Sequence, residues 1–81
     1  MNSLPIKILY TNWKGKTAIR NIIPQEIYFD NSEWYEGDQW LIDAIDVDKN
    51  AQRTFAMNNI SFIFSENDDK KLELLKKEFN I

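Results

Sequence analysis

The 81-residue chain has no cysteine and no histidine, and only two glycines and two prolines. Without cysteine, neither a disulfide nor a thiolate metal site can staple a small fold, so stability must come from a core or from self-association. Without histidine or cysteine, and with serine only at positions 3, 32, 61 and 65, a nucleophilic triad has no support. Paired acids such as Glu33 and Glu36 show no sign of the burial that would tune them for acid–base work. No catalytic residues are expected. The acids of Asp46-Val47-Asp48-Lys49-Asn50 alternate as in a calcium loop. The segment lacks both the glycine of the sharp bend and the terminal bidentate glutamate, so neither a metal nor another cofactor is expected. No run approaches the ~18 apolar residues of a membrane-spanning helix, and the N-terminal Met1-Asn2-Ser3-Leu4-Pro5 lacks a basic region followed by an apolar stretch. The sequence thus points away from secretion and the membrane, to a cytoplasmic protein.

What is present is a core-forming composition: 43% hydrophobic, 14% aromatic and 28% charged residues. That is enough to fold, and the length allows one domain, residues 1–81, and no second. The net charge of −3 argues against sequence-independent binding to duplex nucleic acid through phosphate neutralisation. Charge is unevenly spread. Lys7, Lys14, Lys16 and Arg20 lie in the first quarter, whereas Glu33, Glu36, Asp38, Asp43, Asp46 and Asp48 load the centre. A two-sided field of this kind suits a small anion held at one place.

Residues 6–12 are rich in β-formers and read as a strand, and Gly15 sits at hairpin spacing before a return strand at 17–23. Pro24 marks an edge or bend, after which a second extended piece, 26–29, is expected to turn onto another sheet face. Asp30-Asn31-Ser32 and Glu36-Gly37-Asp38 are turn clusters with Trp34 and Tyr35 on a loop between them. Residues 39–46 read as a central strand and 53–57 as the next, with Arg53, Phe55 and Met57 on one face. A bulge is expected at Asn58-Asn59 and a last strand at 60–64. The period then changes. Ser65-Glu66-Asn67-Asp68 has the form of a capping box, and Leu72, Leu75 and Phe79 fall at helical spacing with Leu74 off that stripe, predicting a helix over about 66–79. The fold class expected is mainly β (α+β): a small, bent antiparallel sheet at about 6–64, or a partial barrel of SH3/Sm type, with a C-terminal helix.

The middle third is the most telling stretch: Glu33-Trp34-Tyr35 and Gln39-Trp40-Leu41-Ile42 lead through the acidic turn into Arg53-Thr54-Phe55. Large aromatics close to an arginine suit something flat and anionic. The order of features resembles the WYL domain, a small Sm-like β-fold usually attached to helix-turn-helix regulators of bacteria. The counterparts are Arg20 with Pro24, then Trp40-Leu41-Ile42, then Arg53, Phe55 and Ile60, over roughly residues 6–64. Two positions depart from the pattern: the central tyrosine is Leu41, and a basic residue before the last isoleucine is Asn59. These 81 residues also hold no helix-turn-helix, so a stand-alone module is expected. The resemblance implies recognition of nucleotides, cyclic oligonucleotides or single-stranded nucleic acid in bacterial or phage transcription regulation, with arginines on phosphates and aromatics beside bases.

Five residues are therefore candidate ligand contacts. Arg20 and Arg53 offer planar five-donor forks suited to phosphate, the competing role being an ion pair with Asp43, Asp46 or Asp48. Trp34 and Tyr35 could stack on a base or equally contact a protein partner. Gln39 could read a base edge, though a solvated glutamine is commoner. Trp40, among aliphatic neighbours, is expected in the core. A homo-oligomer is expected, with Leu74 free for a subunit contact.

Overall fold

Turn chemistry sets the strand boundaries. Between β1 (Ile6–Thr11) and β2 (Thr17–Asn31), the Asn12 carboxamide oxygen accepts hydrogen bonds from the backbone N–H groups of Lys14 at 2.9 Å and Lys16 at 3.0 Å. Gly15 takes φ +81°, the left-handed region in which a side chain is strained. Between β3 (Asp38–Asp46) and β4 (Ala51–Ala56), Asp46 Oδ1 accepts the N–H of Lys49 at 3.2 Å, and Asn50 adopts φ 50°. A single 3₁₀ turn, Met57–Asn59, stands where a bulge was expected and leads into β5 (Ile60–Phe64). These elements belong to a computed structural model that describes residues 4–31 and 37–81.

The five strands form one antiparallel sheet in the order β4-β3-β2-β1-β5, followed by the helix α1 (Asp69–Phe79). The fold is mainly β with one helix, as the sequence implied. The sheet is strongly curled, and chain length requires it. Five strands laid flat would put β4 and β5 about 19 Å apart, yet a three-residue turn joins them. The Tyr10 ring of β1 meets the Phe55 ring of β4 edge-on, centroids 4.9 Å apart, although two strands lie between them in the sheet. The concave face holds the core of Ile8, Tyr10, Ile22, Ile42, Ala44 and Phe55.

Strand β2 corrects one expectation. Residues 26–29 do not turn onto another face but continue the same strand, pairing from Glu26 with Asp43 to Phe29 with Trp40, and Asp30 and Asn31 extend it. The register slips between Pro24 and Glu26, so a bulge absorbs the bend that proline was expected to impose. Pro24 also lies just past Ile22, the last residue of β2 paired with β1. A second correction concerns Trp40, which is 53% exposed and packs edge-on against Phe29 with centroids 5.4 Å apart. Alternation gives Trp40 the same face as Ile42 and Ala44, but it lies past Leu41, the last residue of β3 paired with β4, so the curled end strand does not cover it.

The helix starts three residues later than its spacing predicted. Asp68 Oδ2 accepts the N–H of Ser65 at 2.7 Å and its hydroxyl at 2.8 Å, so the two ends of the box do close on each other. These bonds hold the Asp68 carboxyl below its ordinary range, the backbone N–H contributing most. The pair forms a turn ahead of the first helical residue, Asp69. At the other end Asn80 is left-handed, and the N–H of Ile81 reaches the Lys76 carbonyl at 2.9 Å. Leu72 and Leu75 are half-buried, whereas Phe79, expected on the core stripe, is exposed. Among the described residues no helix is long and apolar enough to cross a membrane.

Candidate functional site

The alternation of the strands decides which side chains share the concave face. Arg20 pairs with Ile8, Ile22 with Asp46, and Ala44 with Arg53. Because directly opposed residues of an antiparallel pair point the same way, Arg20, Asp46 and Arg53 all project onto the face that carries the core. They stand on three adjacent strands near one end of it.

Asp46 is the centre of the group. Its side chain is fully buried, with Oδ2 3.5 Å from Arg20 Nη1 and 3.7 Å from Arg53 Nε. Oδ1 is engaged by the Lys49 N–H, whereas Oδ2 accepts no hydrogen bond. The ion pairs are thus longer than charge-assisted hydrogen bonds, which run about 2.7–2.9 Å. Two guanidinium groups share one carboxylate, leaving one positive charge in excess. Of the acids that could have paired with the arginines, Asp43 is engaged elsewhere: its Oδ1 accepts the Thr54 hydroxyl at 2.7 Å and the Tyr28 hydroxyl at 3.0 Å. Burial, then the hydrogen bond to Asp43 and its negative charge, push the Tyr28 phenol above its ordinary value of 10.0.

A cleft of about 370 Å³ opens over the arginine pair. Arg20 and Arg53 line it together with Tyr10 and Phe55 at the core end, Asn12 and Trp13 from the β1–β2 turn, and Gln52 and Thr54 from β4. Gln52 and Thr54 alternate away from Arg53 along β4, so the cleft wraps the free edge of that strand. Trp13 is 77% exposed, with the Lys14 ammonium 5.1 Å from its ring centroid. The volume lies in the range of small-molecule pockets, roughly 300–1,000 Å³. Chemically the cleft offers guanidinium donors for an anion and an accessible indole face for a flat group.

Of the five candidate contacts, the structure brings Arg20 and Arg53 together. Gln39 does not join them: it lies near the opposite end of β3 from Asp46 and is buried at 7% exposure, neither solvated nor in the cleft. Trp34 and Tyr35 fall outside the described residues. Trp13 supplies an exposed ring of the kind expected of those two, whereas Tyr10 is a core residue at 6% exposure that only reaches the cleft wall. A signal for Trp13 was present, since an indole next to Lys14-Gly15-Lys16 in a tight turn has no sheet face to bury against. Tyr10 gave none, because a tyrosine inside a strand reads as core. No protein-family model matches the chain, and no curated protein or solved structure matches it either.

Proposed function

We propose that the chain is a non-enzymatic binding module that captures a nucleotide-type anion in the cleft between Arg20 and Arg53, for regulation or sequestration in the cytoplasm. The carrying observation is the convergence of two arginines, 33 positions apart in sequence, on one carboxylate beneath an open cleft. Asp46 holds each guanidinium at ion-pair distance and occupies only part of its donor set, leaving other N–H groups of each fork for phosphate oxygens. Trp13, 77% exposed, offers the ring on which a base would stack for a gain of about 1–3 kcal/mol. The likeness to the WYL domain in Arg20, Trp40-Leu41-Ile42, Arg53 and Phe55 favours the same ligand class: nucleotide, cyclic oligonucleotide or short single-stranded nucleic acid.

Titration calorimetry with mono-, cyclic and oligonucleotides tests the reading. At least one should bind, with Arg53→Ala weakening it by about 10- to 100-fold, the value of one charge-assisted contact. Trp13→Ala should weaken it to a similar degree. Absence of binding across the set, or binding indifferent to Arg53→Ala, overturns the proposal. The second reading is a protein-interaction or oligomerisation module, as expected for Trp34 and Tyr35. It draws on the Phe29–Trp40 pair, each residue of which is more than half exposed.

A further inference from the structure

The two signs of charge are segregated along a single strand. Residues 1–25 contain Lys7, Lys14, Lys16 and Arg20 and no acid, whereas residues 21–48 contain no lysine or arginine. Strand β2 spans the change, with the turn carrying Lys14 and Lys16 at its start and the β2–β3 hairpin carrying Asp30 and Asp38 at its end. Each end also exposes aromatic surface. Trp13 stands at the basic end, and Phe29 and Trp40, paired across the hairpin and each more than half exposed, stand at the acidic one. Ile27, also exposed, extends the acidic-end ridge on the same face, being two residues from Phe29 on β2.

Nothing among the described residues neutralises these ends. Among the described residues no ion pair involves Lys14, Lys16, Asp30 or Asp38; the Lys14 ammonium lies against Trp13 and Asp30 Oδ1 against the N–H of Asn31. An apolar ridge with acidic neighbours and an exposed indole with basic neighbours are complementary in both respects. They sit on one chain but at opposite ends of β2, so they can meet only between copies.

We infer that the β2–β3 hairpin of one copy docks, through Phe29 and Trp40 with Asp38 on their face and Asp30 on the strand beside them, on the Trp13-Lys14-Gly15-Lys16 turn of the next. Such a contact is heterologous: each copy uses a different surface on either side, and repetition makes a ring or a filament rather than a closed pair. Opposed charges steer and register the contact, and the aromatic surfaces are the buried anchor. The inference does not require the nucleotide reading, but both use the Trp13 indole, so a docked copy and a stacked base would compete for it.

Sedimentation of the purified chain over a concentration series tests it. In low salt the weight-average mass should rise to at least twice the 9.7 kDa of one chain. In high salt it should return toward that value as the charges are screened. Two double variants at exposed positions isolate the ends: Asp30→Asn with Asp38→Asn, and Lys14→Gln with Lys16→Gln. Each alone should remain a single chain, because one of its two surfaces is spoiled. Mixed together they retain one good surface of each kind and should form a 1:1 pair that grows no further. Circular dichroism confirms that both variants keep the sheet. A parent chain monomeric up to millimolar concentration, assembly unaltered by either double variant, or a mixture that stays monomeric or extends beyond two chains overturns the inference.

Discussion

Asp46 performs two tasks with one side chain. One oxygen holds the β3–β4 turn through the Lys49 N–H, and the other faces Arg20 and Arg53 from a fully buried position. Removing Asp46 takes away the turn hydrogen bond and the shared counter-charge but leaves two arginines that reach solvent, at 26% and 49% exposure, a loss of about 1–3 kcal/mol. Asp46→Ala should therefore lower the unfolding free energy by about that amount in a urea titration, out of roughly 4–12 kcal/mol for a chain of this length. Arg53→Ala should cost no more than about 1 kcal/mol, because its side chain is half exposed and Arg20 still meets the carboxylate. Equal losses for the two variants would show that Asp46 does not anchor the pair. The contrast also makes Arg53, rather than Asp46, the residue with which to probe binding, since its loss leaves the fold in place.

At the scale of the element, the long β2–β3 hairpin and the adjoining β4 are tied by Tyr28 and Thr54, whose hydroxyls both donate to Asp43 Oδ1. Ionising Tyr28 removes one donor and sets a phenolate beside a carboxylate in a partly desolvated place, so its folded pKa lies above 10.0. For such a group the stabilisation is whole below pH 10, the unfolded value, and disappears as pH rises through the higher folded value. The melting temperature should thus fall more steeply above pH 10 in the parent chain than in Tyr28→Phe. Absorbance titration of both proteins should show that the phenol missing from the variant ionises above the ordinary range. If the two alkaline melting profiles coincide, the hydroxyl contributes nothing to holding the hairpin.

For the whole molecule, curling is the decisive property. It brings β1 against β4, closes the core around Tyr10 and Phe55, and turns Arg20 and Arg53 toward a common cleft. Phe55, at 3% exposure, is where the curl is fastened. Phe55→Ala should cost about 3–5 kcal/mol, the range for emptying a buried aromatic site, and much of a small domain's total. Trp40→Ala, on the exposed ridge, should change stability by less than about 1 kcal/mol in the monomeric state. Denaturant titrations of the two variants at low concentration would separate the core from the surface directly. A large loss for Trp40→Ala would return that indole to the structural core.

Local chemistry in the sequence placed most of the elements, but not the continuation of β2 past Pro24. Glycine and asparagine fixed the turns at 12–16 and 47–50, β-forming alternation marked the strands from 6 to 64, and the change to helical spacing placed α1 to within one turn. Both arginines were legible too, because a guanidinium among apolar strand residues demands a partner. The ring neighbours of those arginines were not. Trp40 shares the face of Ile42 and Ala44 yet stays exposed beyond the last residue paired with β4, and Tyr10 is core that also reaches the cleft wall, because the curl of the sheet settles what covers each face. Only tertiary structure could select Asp46 over Asp43 and Asp48 as the shared counter-charge. That selection depends on register across three strands and on the curvature of the sheet, and both arise from contacts between residues far apart in sequence.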